Sequence, residues 1–379
     1  MKIPLHAAVV LCLGALVTMP GGTAAASPHP DHSTVDSLPE CRQGIHEEGT
    51  YGHDSGLPRG KYAFVVNSDN PQGTNGSLVV LDRRTQQVIK TVSQGLGRLP
   101  DAVAVQCDGS TAYVANFASD SLSVVDTESG TVTATVPVGD QPAQVVLSPD
   151  GRYAYVVNTG EISTAGSISV LDTKTNRVVR TITAGFNPFR MALTADGRHA
   201  YVVTDNTVRL LDTRNGKTLA TLGNPSSNGL LVGLALAPNG QRLYAVDSTS
   251  NHVLVIDART FTFAHAPVAL PGFGLAGNAA VSPDSSLLYV TELGSTDVAV
   301  VDTATDTAQP TTITVGRNPT NVAFTPGGGK AYVTSSLDDP KGLNIINTSQ
   351  GRVTSQINVG SGPFDVALVD TDRPGQSKP

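Results

Sequence analysis

The chain has 379 residues with 15% charged side chains, 38 glycines, 24 prolines and no tryptophan. Apolar residues at 39% can build a core, which excludes wholesale disorder, and a formal charge of −7 disfavours nucleic acid and anionic membranes as partners. Lys2 is the only charge before an apolar run at Ala7–Val17, followed by Pro20, Gly21 and Ala24–Ala26. This order predicts a secretory signal peptide over residues 1–26, and the run is shorter than the roughly 20 residues a membrane span needs. We therefore expect a secreted or extracytoplasmic protein, periplasmic or on the cell surface, with no membrane span.

Residues 27–60 form a His- and Pro-rich arm containing His29, His32, His46 and His53. It reads as a solvated segment, with transition-metal binding as the competing reading. Past the leader only Cys41 and Cys107 remain, and an exported chain is expected to join them in a disulfide. Such a bridge closes about 66 residues and constrains the unfolded chain by roughly 4 kcal/mol. Two separate buried thiols are the alternative.

From residue 61 one unit repeats. An apolar stretch carries an aromatic anchor at Phe64, Tyr113, Tyr155, Tyr201, Tyr244, Tyr289 and Tyr332, spaced by 49, 42, 46, 43, 45 and 43 residues. A second marker follows a Val-rich run: Asp82, Asp126, Asp172, Asp212, Asp257, Asp302 and, in the last copy, Asn347. Each copy has four short Val/Ile/Thr-rich runs separated by turn residues, the pattern of four antiparallel strands. In the third copy these are Ala143–Ser148, Tyr153–Asn158, Ser167–Leu171 and Arg177–Thr183. Seven such units predict an all-β, seven-bladed β-propeller of four-stranded antiparallel blades over residues 61–369. The first copy lacks an inner strand and the last leaves a spare one, Phe364–Leu368, so the C-terminal strand is expected to close the ring. Residues 370–379 read as a disordered tail.

The quoted units, such as YVANFASDSLSVVDT (Tyr113–Thr127) and YVTELGSTDVAVVDT (Tyr289–Thr303), resemble the YVTN-type β-propeller repeat of surface-layer and YncE-like exported proteins. The resemblance implies the propeller fold and leaves function open, since the functions of that family are diverse and mostly binding or unknown. Copies one, four and five depart from the pattern: Phe64 replaces Tyr, and Asp205 and Asp247 stand in the Asn region.

The Asp column reads as turn chemistry, because Asp side chains accept backbone amides a few residues on. Strand alternation puts the short, near-constant turns on one face and the variable loops on the other. The longest loops are Asn67–Gly76, Asn158–Ser167 and Thr334–Gly342. On the inner strands the position two residues past the Pro is irregular: Ala102, Gln144, Arg190, Gly233, Asn278, Asn321 and Asp365. Ion pairing and ring-closing hydrogen bonds, with water filling the channel, are the bland account. The sharper one is a ligand site at the channel mouth built from Gln144, Arg190, Asn278, Asn321 and Asp365, flanked by Arg98, Asp101, Arg317 and Asn318. Asn278, Asn321 and Asp365 offer hard oxygen ligands suited to Ca²⁺ or Mg²⁺.

Gly272–Gly277 matches GxGxxG by letter but opens no helix, and no GxSxG exists. The reading that follows is an exported binding protein holding a small molecule, glycan or protein at the loop face. The alternative is a metal-assisted lactonase, hydrolase or lyase working at the channel mouth.

Overall fold

The computed structural model describes residues 57–68, 76–161, 164–272, 274–337 and 342–371. Arm residues 27–56, the leader, Cys41 and residues 372–379 lie outside them, as do parts of the three longest loops. Seven antiparallel sheets make seven blades, and the described residues hold one three-residue 3₁₀ turn and no α-helix. Blades 2 to 7 run outward in chain order from inner strands Pro100–Val105, Pro142–Leu147, Pro188–Leu193, Leu231–Leu236, Leu275–Val281 and Pro319–Phe324. Blade 1 is built from both ends of the propeller. Its inner strand Pro363–Asp370 pairs with Lys61–Asn67, so the C-terminal strand closes the ring and runs past the spare strand read from sequence.

The core lies between blades rather than inside one. Seven apolar clusters each join two consecutive blades. Each second strand sends its anchor toward the following blade, and Tyr113, Tyr201, Tyr244, Tyr289, Tyr332 and Phe64 are all at most 2% exposed. Fully burying one side chain of this kind contributes about 1.5–3 kcal/mol, so the repeat spacing records where one blade meets the next. The outer strands of blades 5 and 6 are each split in two, Thr262–Phe263 with Val268–Ala269 and Thr307–Ala308 with Ile313–Thr314. Pro267 and Pro310 fall in the gaps and have no N–H to donate to a ladder.

The Asp column forms turns, as expected. Asp82 Oδ1 accepts Arg84 N–H at 2.7 Å, Asp126 accepts Ser129 N–H at 2.7 Å, and Asn347 accepts Gln350 N–H at 3.0 Å in the copy that lacks Asp. The backbone N–H of Ser129, Thr175 and Thr305 hold the Asp126, Asp172 and Asp302 carboxyls below the usual range.

The Asn and Gly of the repeat explain each other. Asn116 Nδ2 donates to Ser123 Oγ at 2.9 Å, and Asn158 Nδ2 to Ser169 Oγ at 3.0 Å, pinning the second strand to the third. A Cβ on Gly97 or Gly139 would come within 2.7 Å of those Asn side chains, so the linker must be glycine there.

Candidate functional site: the channel mouth

An inner strand is the free edge of its sheet. Its side chains stand perpendicular to the sheet and so point at neighbouring blades, while unpaired backbone groups face the channel. All seven inner strands also carry a bulge near their start, after the first residue in six of them and after the second, Ala276, in blade 6. The residues left out of the pairing are Asp101, Ala143, Phe189, Val232, Gly277 with Asn278, Thr320 and Phe364. A bulge bends the strand and re-aims the extra side chain. These residues line one cavity of about 120 Å³, completed by Phe117, Thr159, Arg190 and Leu293. It opens on the loop face, since the inner strands begin opposite the ends of the second strands, as in Pro100 with Asn116.

The cavity wall is mainly apolar. Phe117, Phe189, Phe364, Val232 and Leu293 are half-buried, and Ala143 is 5% exposed. Asp101, also 5% exposed, and Arg190 supply the charge. Arg190 Nη1 donates to Ala143 O and Phe189 O, both at 3.0 Å, which ties blade 4 to blade 3 at this level. Thr320 Oγ1 donates to Phe364 O at 2.8 Å and sets the phenylalanine's backbone.

On the strands of blades 1 and 3 the next residue does something else. Asp365 Oδ2 accepts Val103 N–H at 2.9 Å, and Gln144 Oε1 accepts Met191 N–H at 2.7 Å. In both cases a side chain of one blade satisfies an edge amide of the next. Asn321 Nδ2 donates to Asp365 Oδ1, which also takes Val366 N–H at 2.8 Å. Burial pushes the Asp365 carboxyl up to about 6, opposed by the Val103 N–H, the Arg190 guanidinium and the Val366 N–H, with the Asp101 charge adding to the rise.

The sequence candidates therefore separate into three groups. Asp101, Arg190 and Asn278 meet in the cavity wall. Gln144, Asn321 and Asp365 lie one residue past the bulge and stitch blades together. Arg317 is exposed on the rim, with Nη2 donating to Leu337 O at 2.6 Å, and Arg98 is exposed as well. Of the three oxygen ligands suggested for Ca²⁺ or Mg²⁺, Asn278 Oδ1 turns to its own neighbour Ala279 N–H at 2.9 Å. Asn321 presents its nitrogen to Asp365. Among the described residues no group of three His, Cys, Asp or Glu side chains is placed to hold a metal.

The aromatic part of the mouth was not anticipated. Its signal was available in the column just past the Pro, where two phenylalanines occur in a chain with 5% aromatic residues. The GxGxxG letters also find a cause. A Cβ on Gly272 would lie 1.5 Å from Glu292 Oε2, so this loop packs directly onto a buried carboxyl. Glu292 is 0% exposed, and burial raises its pKa.

Among the described residues no helix is long and apolar enough to cross a membrane. Cys107 lies just past the inner strand of blade 2, and Cys41 is outside the described residues. His265 lies near the turn face, its Nε2 3.0 Å from Asp306 Oδ2.

Residues 90–222 match a family model for the YncE-like β-propeller. Over 103 residues the chain is 33% identical to a seven-bladed β-propeller protein of Mycobacterium tuberculosis, a match covering 27% of this chain and 25% of that protein. The chain thus spans about a quarter of the length of that curated relative. The periplasmic gluconolactonase of Pseudomonas aeruginosa has a similar structure, with a TM-score of 0.67 at 19% identity over 82% of this chain and 99% of that one. Hydrazine synthase of Kuenenia stuttgartiensis gives a TM-score of 0.65 at 24% identity, covering 72% and 90%. These two likenesses concern the fold. The YncE-like resemblance read from the repeats is borne out by the family match and the propeller relative.

Proposed function

We propose that this YncE-like β-propeller is an exported binding protein whose channel mouth holds an uncharged apolar group of a ligand or partner. The observation that carries the reading is the bulge at every inner strand, which turns Phe189, Phe364 and Val232 into one cavity. A cavity of about 120 Å³ suits a single ring, since an apolar space of roughly 150 Å³ accepts benzene. The Arg190 guanidinium acts on Asp365 against the like charge of Asp101, and over the mainly apolar wall shape and apolar contact are the main selectors. Export and a Cys41–Cys107 bridge are part of the proposal, checked by the N-terminus of the secreted protein and by its mass before and after reduction.

The chain contains no tryptophan, so bound indole is visible without background. Titrating indole emission should give a saturable blue shift that Phe189→Ala and Val232→Asp remove. An unshifted spectrum across the solubility range of indole would sink the reading.

A lactone-cleaving activity is the second reading. It is favoured by Asp365, a channel carboxyl held near pH 6 beside Arg190, in a fold shared with a gluconolactonase. In that case Asp365 acts as general base for water attacking the lactone carbonyl. It ranks second because three N–H groups already occupy the carboxylate. Proton release from gluconolactone, measured with Ca²⁺, with Mg²⁺ and with chelator, decides it: turnover abolished by Asp365→Asn supports the activity, and no turnover in any condition removes it.

A further inference from the structure

Three large apolar side chains on the loop face are exposed to solvent. Among the described residues, Phe186 is 52% exposed, Leu275 43% and Leu337 45%. All three sit on the loop face. Phe186 lies three residues before Phe189, Leu275 begins the inner strand of blade 6, and Leu337 follows the second strand of blade 7. A ring-sized ligand filling about 120 Å³ would leave these side chains uncovered. Exposed apolar side chains on the face of an apolar hole are what a macromolecular partner covers.

Charge on the same face is uneven: exposed Arg98 and Arg317 stand beside the loops of blades 2 and 7, while carboxylates outnumber cations over blades 2 to 4. Asp120, Asp140 and Glu161 are exposed and Asp205 half-exposed, forming an arc over the loops of blades 2 to 4. Asp120 and Asp205 also brace their loops, through Gln141 N–H at 2.8 Å and Asn187 Nδ2 at 2.7 Å. Asp140 and Glu161 have no such duty among the described residues. The chain as a whole is acidic, at −7, which favours a cationic segment over phosphate-bearing polymers, and the local carboxylates direct that segment to blades 2 to 4.

We infer that the loop face docks a basic peptide segment of a partner protein, which seats one apolar side chain in the mouth and lays flanking Lys or Arg over the blade 2–4 arc. This rests on the binding reading above. The exposed apolar side chains supply contact beyond the anchor, and the arc fixes the direction in which the segment runs.

The test uses the pentapeptides KKWKK and EEWEE, whose indole is the only one in solution. KKWKK should bind with a blue-shifted emission and EEWEE should not. Rising salt should weaken KKWKK, the double variant Asp140→Lys/Glu161→Lys should weaken it about tenfold, and Val232→Asp should abolish it. Each variant is first compared with the parent by thermal unfolding. Should free indole bind while the two peptides bind alike, or neither binds, the partner class is wrong and the mouth reading stands. Should free indole also fail, both fall.

Discussion

Two neighbouring positions on the inner strands have opposite roles. The bulged residue is released from the ladder and opens into the mouth, where Phe189 and Phe364 leave apolar surface half-exposed. The residue after it turns sideways, and Asp365 and Gln144 spend their oxygens on amides of the next blade. A free sheet edge has unmet backbone groups, and a propeller must satisfy seven of them. On blades 1 and 3 the second layer does this with side chains, which leaves the bulged residues of those strands free for binding. Stability and recognition should therefore separate across a single residue step.

Asp365→Ala should show the largest effect on the stability side. It strands three donors in the interior and should cost about 3 kcal/mol, read as a lower urea midpoint with unchanged slope. Asp365→Asn should cost less, because the amide still accepts a bond and no buried charge is required. The pH profile sharpens this contrast. A carboxyl raised to about 6 gives stability that is fully present below its unfolded value near 3.8 and is lost as pH rises through 6. Asp365→Asn should flatten that decline in a series of melts between pH 4 and 7.

Gln144→Ala leaves one amide, that of Met191, without its acceptor and should cost about 1 kcal/mol. Phe189→Ala should cost no more than that, since the ring is half-exposed, yet it should eliminate indole binding. A large stability loss without loss of binding would break the division between the layers.

The smallest effect lies at the turn face. His265 faces acceptors with both ring nitrogens, Ala266 O at 2.8 Å and Asp306 Oδ2 at 3.0 Å, which only the cation satisfies fully. Its pKa is raised by the Ala266 carbonyl and then by Asp306, while Arg242 beside it opposes the rise. Its contribution is present below pH 6.5 and fades as pH climbs through the raised value. With the side chain 38% exposed, His265→Gln should change stability by only a few tenths of a kcal/mol below pH 6 and by less above pH 8.

The propeller was legible in the sequence because its core is periodic. Each Tyr anchor meets the next blade in the same way, so spacing alone gives blade number and ring closure. The mouth was legible only in part. Gln144, Arg190, Asn278, Asn321 and Asp365 stood out as the place where the repeat stops repeating, but strand alternation alone does not separate those that line the mouth from those that face the next blade. A one-residue bulge shifts every following side chain, and nothing in a strand of Val and Ala announces it. Phe189 and Phe364 consequently went unnoticed, although they sit next to residues that were singled out. Arg317, expected to flank the mouth, is exposed two residues before Pro319.

The shared blade has a consequence in time. Lys61 pairs with Asp370, and Gly60 N–H reaches Thr371 Oγ1 at 2.8 Å across 311 positions of chain. With the chain delivered N-terminus first, the strand Lys61–Asn67 arrives early and must wait, its inner side unpaired, until the last strand is delivered. For that interval the chain is an open arc with an exposed edge, able to capture a stray strand from a neighbouring chain. Joining residues 60 and 371 through a short linker and opening the chain at a loop tip elsewhere would move this waiting edge to another blade. Such a rearranged protein should reach the same ring by a different order of events.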